Sequence, residues 1–192
     1  MIKYFSRNLH SDRLVLKHLV PNLQNAKMIY DVLKNENPKD YKYEPLVPRH
    51  VLPKSVKETL NMMNHYKDFE DKDGCVFYMF YNNEFIGVRK LCYFKEASTL
   101  KFSTVWLIRS ARRKGFAKES FRLLEDIAFN KLKVNRISRV NIKENKDSEI
   151  LAKNIGFILD GISRQPVFLD GHFYDLMIWS KLHTDYLKEH KK

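Results

Sequence analysis

Hydrophobic positions change period several times along this 192-residue chain, and each change marks an element. Leu14, Val15, Leu16 and Leu19 predict a first strand, after which Pro21 opens a helical stretch with Ala26, Ile29, Tyr30 and Leu33 on one side. Four prolines between Asn35 and Pro53 break any period and predict a long surface loop, a kind of segment that often carries function. Ser55 to Tyr66 returns to helical spacing through Val56, Leu60 and Met63, and an acidic run follows at Asp68, Glu70, Asp71 and Asp73. Val76 to Tyr81, Phe85 to Phe94 and Leu100 to Ile108 are β-rich, the first two joined by an Asn82-Asn83 turn, and predict an antiparallel meander. Ala117, Phe121, Leu124 and Ala128 then recur at spacings of four, three and four, the mark of a helix packed by one face on a sheet. Arg136 to Ile142 predicts a strand, Lys146 to Ile155 a short helix, and Phe157 to Phe168 and His172 to Lys181 two last strands around Asp170-Gly171. Strand, helix, strand in the centre requires a parallel pair there. The pattern gives a mixed α/β (α+β) class: one domain over residues 1–187, with a mostly antiparallel sheet of about seven strands flanked by helices. Lys188 to Lys192 reads as a disordered basic tail.

Composition narrows this picture only a little. The length suits a single domain with a substantial core, and no apolar run approaches the roughly 20 residues that span a bilayer. The opening MIKYFSRNLHSD is interrupted by charge before an apolar segment can develop, so no secretory signal is expected. Cys75 and Cys92 lie far apart within apolar runs, with neither metal-ligand nor disulfide spacing, which fits buried thiols in a reducing cytoplasm. Lys and Arg number 35 against 23 Asp and Glu, giving +12. That balance favours anionic partners without choosing among coenzyme A, nucleic acid and a ribosome surface. The basic residues are dispersed, and no helix-turn-helix, zinc-finger or aromatic RNA-binding signature is present. Weak contact with RNA or the ribosome stays open.

The candidate chemistry begins at Arg112 to Ser120, RRKGFAKES, which follows the strand-like Val105 to Ile108 and opens the amphipathic helix. A strand, a short loop with one glycine and a helix start together point free N–H groups and a positive dipole end at an anion. Gly115 lets backbone approach that anion without a Cβ, and Ala117 does nearly the same one turn on. On its own the stretch is equally a plain basic helix start. A second motif follows, Asn145-x-x-Ser148 and then Asn154-Ile155-Gly156-Phe157.

Together the two motifs resemble the GNAT superfamily of N-acetyltransferases, in particular its ribosomal-protein (RimJ/RimL-like) branch. The positions that match are Trp106-Leu107, Arg112-x-x-Gly115-Phe116-Ala117, Glu119, Phe129, Asn145 with Ser148, and Ile155-Gly156-Phe157. The ending Asp170-Gly171, Tyr174-Asp175 and Trp179-Ser180 is similar to the branch's closing hairpin. The resemblance implies a sheet whose central parallel pair splays, with acetyl-CoA as cosubstrate and no metal. It places the thioester oxygen on the backbone N–H of Leu107 or its immediate neighbour, where a fixed donor is worth roughly 3 to 4 kcal/mol. It places the diphosphate on the N–H groups from Arg113 through Lys114, Gly115 and Phe116 to Ala117, with charge from the Arg112, Arg113 and Lys114 side chains. Asn145 would bond the pantetheine amides or cap the following helix. Ser148 would donate to the departing sulfur or serve only as a helper cap.

The chain also departs from the pattern. Arg113 stands where most members carry a second Gly, and Ala152 stands where many carry the Tyr acid. Leu100 to Ile108 contains no carboxylate, so no general base is assigned; Glu96, Glu144 and His172 are each more naturally surface residues, and Glu119 more naturally a structural contact. The implied activity is acetyl transfer to a primary amine, foremost the α-amine of a protein or peptide N-terminus, by a cytoplasmic monomer or homodimer. Acetylation of a small amine or antibiotic is the second enzyme reading. A domain that holds acetyl-CoA or RNA without catalysis is the third.

Overall fold

The structure is a computed structural model that describes residues 2–5, 7–41, 52–70 and 74–190. A single sheet organises it, in the order β1-β2-β3-β4-β5-β6-β8-β7. The strands are β1 (Leu9–His10), β2 (Leu14–Lys17), β3 (Gly74–Tyr81), β4 (Glu84–Phe94), β5 (Thr99–Leu107), β6 (Arg136–Ile142), β7 (Ile158–Leu169) and β8 (His172–Leu182). Among the described residues only β5 and β6 pair in parallel. The helices are α1 (Ile2–Phe5), α2 (Leu23–Leu33), α3 (Val56–Glu70), α4 (Phe116–Asp126), α5 (Lys146–Asn154) and α6 (His183–His190).

Local chemistry explains the joints. Asn82 and Asn83 both take positive φ, 49° and 64°, as do Asp170 and Gly171 at 49° and 80°, so each hairpin turns through two left-handed residues that match strand twist. Asn22 caps α2 by accepting from the Asn25 N–H at 2.8 Å. At the end of α5 the Phe157 N–H reaches the Ala152 carbonyl and the Gly156 N–H reaches Lys153, with Gly156 at φ 83°. That is a Schellman stop, and it gives the Ile-Gly-Phe motif a helix-ending job.

Both faces of the central sheet are covered, so β4 is buried along most of its length. Arg89 and Lys90, adjacent on β4, point to opposite faces: Arg89 bonds to Ala117 and Ser120 of α4, while Lys90 lies over the rings of Tyr66 and Phe69 of α3. Burial lowers the Lys90 pKa.

The elements differ from expectation mainly at the edges. The sheet has eight strands among the described residues, because the two-residue β1 is too short to leave a periodic trace. The last helix, α6, was not expected, and it takes in Lys188 to His190 of the segment read as tail. Eight residues with one buried position, Tyr186, carry little period; α6 is held by packing of Tyr186 against Phe129, with tilted rings whose centres lie 5.0 Å apart. Of the proline-rich loop, Pro38–Tyr41 forms a short 3-10 turn, and residues 42–51 lie outside the described residues. Asp68 and Glu70 end α3, whereas Asp71 and Asp73 lie outside the description. No helix among the described residues is long and apolar enough to cross a membrane.

Candidate active site

The parallel pair holds for only four rungs, from Thr99 opposite Arg136 to Phe102 opposite Arg139. Beyond it, Val105 to Leu107 pair with β4 alone and Val140 to Ile142 with β8 alone, so a gap opens between β5 and β6. A register shift between Lys90 and Leu91 makes Ser103 an extra residue on β5 just past the last shared rung. The bulge bends the strand where the two part.

Backbone groups point into this gap. Ile108 donates its N–H to the Ile86 carbonyl at 3.0 Å, and Gly87 stands opposite Leu107. Groups alternate sides along an antiparallel ladder, so Leu107 directs its N–H and C=O away from β4, and Val105, opposite Arg89, does the same. The Leu107 carbonyl accepts from Arg112 Nε at 3.0 Å. The Leu107 N–H faces the gap with no strand to receive it.

Arg112 was expected to lend charge to a diphosphate, but its side chain is committed elsewhere. Besides Leu107 it donates from Nη1 to the Asp40 carbonyl at 2.8 Å, and its guanidinium lies 4.6 Å from the Tyr41 ring centre. It therefore ties the end of β5 to the 3-10 turn. Arg109 adds a second tie, through its N–H to Glu36 at 2.9 Å and its side chain to Asp40 at 3.1 Å. Glu36 also accepts from the Tyr41 hydroxyl, and burial together with that carboxylate pushes the Tyr41 pKa far up.

The loop after β5 is open. Arg113 takes φ 58° and Gly115 φ 85°, two left-handed residues of which only the second is glycine. Among the described residues the N–H groups of Arg113, Lys114 and Gly115 have no acceptor, and Phe116, Ala117 and Lys118 are the first three donors of α4. No side chain caps the helix. The Phe116 side chain is buried, so only its backbone can meet a ligand, whereas the Arg113 side chain is 86% exposed and 3.8 Å from Asp147 of α5. An open hollow of about 470 Å³ between Ser11 to Arg13 and the first turns of α4 reaches Gly115.

Glu119 is structural. It accepts from Ser11 Oγ at 2.7 Å, the Arg13 N–H at 2.9 Å and Arg13 Nε at 2.8 Å, pinning the β1–β2 turn to α4. Burial alone would raise its pKa, but the Ser11 bond and the Arg13 bonds and charge outweigh burial and hold it below the ordinary value.

Asn145 is the N-cap of α5, its Oδ1 accepting the Ser148 N–H at 3.1 Å. Its side-chain amide nitrogen remains for a ligand, whereas its backbone N–H donates to the Ile142 carbonyl at 3.0 Å and its carbonyl accepts from the Glu149 N–H at 3.1 Å. Ser148 Oγ accepts from a guanidinium of Arg139, a buried residue the sequence reading did not single out. Arg89, equally unforeseen, donates to the Ala117 carbonyl at 2.9 Å and Ser120 Oγ at 2.8 Å. Burial first, and the charge of Arg139 second, pull its pKa down to about 9. A charged residue inside a largely apolar strand was the available signal for Arg89, whereas Arg139 stands in β6 among Arg136, Ser138 and Asn141 and gave no such signal.

The unassigned candidate bases are exposed. Glu96 sits in the β4–β5 turn, the whole length of β5 from Leu107. Glu144 is exposed just before Asn145, and His172 is at the tip of the last hairpin, bonded to the Asp170 carbonyl at 2.9 Å. Among the described residues one group of potential metal ligands, His18, Glu70 and Cys75, lies together. It is internally bonded, His18 to Glu70 at 3.1 Å and Glu70 to the Val76 N–H, at β2 and β3 rather than at the gap.

Comparison with known proteins places this geometry. The family model for the acetyltransferase (GNAT) domain matches residues 2–158. YdaF of Bacillus subtilis (strain 168), a provisionally named ribosomal N-acetyltransferase, is 22% identical over 120 residues, 62% of this chain; the match takes in 66% of that relative's length, just under two thirds. RimL, a ribosomal L7/L12 α-N-protein acetyltransferase solved with coenzyme A, superposes with a TM-score of 0.77 at 17% identity over 91% of this chain and 97% of its own. The microcin C7 self-immunity acetyltransferase MccE, solved with acetyl-CoA and AMP, gives 0.75 at 20% identity over 90% of this chain and 93% of its own. At these identities the structural likeness speaks for the fold.

Proposed function

Because the chain belongs to the GNAT acetyltransferase family, we propose that it transfers the acetyl group of acetyl-CoA to the α-amine of a protein or peptide N-terminus in the cytoplasm. The observation that carries this is the gap beside Leu107, with unpartnered loop amides at its mouth. Those amides, from Arg113 to Ala117, hold the diphosphate, and Arg113 and Lys114 add charge at the surface. Pantetheine runs down the gap, bonded by Asn145 and the edge of β5. The Leu107 N–H, fixed by the β4–β5 ladder, faces the thioester oxygen as it becomes negative. Arg112 acts on the acceptor side by bracing the 3-10 turn against β5. Ser148 supplies a proton to the sulfur.

The acceptor class rests on what YdaF and RimL are said to acetylate. MccE, named for self-immunity to microcin C7, supports the second reading, a small amine acceptor. Thermal stabilisation by acetyl-CoA, followed by CoA release with a panel of N-terminal peptides and small amines, separates them. Stabilisation with turnover on peptides is expected; turnover on small amines alone moves the assignment to the second reading, and binding without turnover moves it to a non-catalytic domain. With no carboxylate on β5 to take the amine's proton, the pH profile of kcat/KM should follow the acceptor itself. For an α-amine it should rise to about pH 8 and then flatten, whereas a lysine-like amine should keep rising toward about pH 10.

A further inference from the structure

Arg139 occupies the last rung of the parallel pair, opposite Phe102, where β5 and β6 separate. Its guanidinium is buried and donates to Ser148 Oγ. A hydroxyl has one proton and two lone pairs. With a guanidinium on one lone pair, the proton must point elsewhere, and among the described residues it meets no acceptor. Ser148 is thereby held as a donor. Arg89 is a second buried guanidinium on the same face of the sheet, within the field of Arg139, and among the described residues its hydrogen bonds go to the neutral oxygens of Ala117 and Ser120. Among the described residues its Nε, in a residue 3% exposed, has no hydrogen-bond partner. Arg89, a buried cation bonded to neutral oxygens at the base of the gap, suits an anion arriving there. The other charges nearby on α5 are compensated, Asp147 by Arg113, and Glu149 by Lys146 and Lys153.

We propose that Arg139 is a positioning residue for acetyl transfer: it holds Ser148 as proton donor to the departing CoA sulfur and, with Arg89, stabilises that sulfur as a thiolate. The inference rests on the acetyltransferase reading above. The amine nitrogen bonds to the thioester carbon, the C–S bond breaks, and its electron pair goes to sulfur. Ser148 Oγ gives its proton to sulfur and recovers, through water, the proton lost by the amine nitrogen. The products are the amide and CoA thiol, with Ser148 and both arginines unchanged.

The first test needs no substitution. CoA and desulfo-CoA, which lacks the thiol, are titrated into the whole chain by calorimetry from about pH 6.5 to about pH 9, spanning the ordinary thiol pKa of about 8.5. A site that stabilises thiolate should tighten for CoA relative to desulfo-CoA by about threefold or more over that range. A ratio that stays flat overturns the proposal. Arg139→Gln should flatten it, while Arg139→Lys, which keeps charge and a donor, should retain part of it. In turnover, Ser148→Ala and Arg139→Gln should each lower kcat by about tenfold with the acetyl-CoA KM within about twofold, and the double variant should lose no more than either single. Additive losses, or losses that fall on KM, overturn the relay. Should Arg139→Gln not fold, the wild-type ratio and Ser148→Ala still decide. Absence of any acetyl-CoA binding sinks the acetyltransferase reading itself; binding with a flat ratio sinks only the role of Arg139.

Discussion

Gly87 stands where β4 passes the end of β5, and a Cβ built there would lie 2.2 Å from the Trp106 carbonyl oxygen and 3.0 Å from Leu107 Cα. Both contacts are backbone, so no side chain can swing aside. Gly87→Ala must push β5 toward the gap at Leu107, the residue whose N–H faces that gap. The expected cost is about 1–3 kcal/mol of stability, typical of overpacking, together with a fall in kcat that exceeds any change in acetyl-CoA KM. Chemical denaturation and steady-state kinetics check both halves, and unchanged kcat in a folded variant would mean that the position of Leu107 does not govern the reaction. At this scale the sequence was readable where a residue type has few uses. Gly115 in a basic helix start and Asn145 before a helix both stand where their chemistry suggests, whereas Arg112 was unreadable because its partners, Asp40 and Tyr41, are some 70 positions away and reach it only through tertiary contact.

Elements are joined at the loop by Glu119, which fastens the β1–β2 turn to the first turn of α4. Its folded pKa lies below the ordinary 4.5, so its ionised form contributes stability that is fully present above 4.5 and is lost as pH falls through the lowered value. Denaturation midpoints should therefore drop on acidification below about pH 4.5, and Glu119→Gln should start lower at neutral pH and show a flatter acid limb. If the variant's acid limb is as steep as the parent's, other carboxylates set it. Strands whose period is strong were legible nearly to the residue: Arg136 to Ile142 is β6 end for end. The splay was legible only through family likeness. It depends on the Ser103 bulge and on which strands pair, and neither leaves a mark in local hydrophobic period.

Across the whole molecule, one buried charge cluster binds the carboxyl-terminal half together. Lys181 on β8, 1% exposed, places Nζ 2.6 Å from Glu125 of α4, 2.7 Å from Glu189 of α6 and 3.1 Å from the Ile155 carbonyl that ends α5. Sequence reading placed Lys181 at the end of a strand without a partner, because its partners arrive from three different helices, one of them the unforeseen α6. Burial raises the Glu125 pKa in spite of Lys181, so its ionisation works against folding as pH rises through that raised value. Lys181→Met would leave that carboxylate buried without its cation, a change that costs about 3–5 kcal/mol and lowers Tm by roughly 10 °C in a chain of this size. Adding Glu125→Leu should recover most of the loss, since replacing both members of a buried pair by apolar groups is often nearly neutral. The cluster lies at the far end of α4 from Gly115, so acetyl-CoA affinity of the folded single variant should match that of the parent. Calorimetric scans of parent, single and double variants decide it: a double variant no more stable than Lys181→Met would show that Lys181 serves the fold by packing and its bond to α5 rather than by neutralising Glu125.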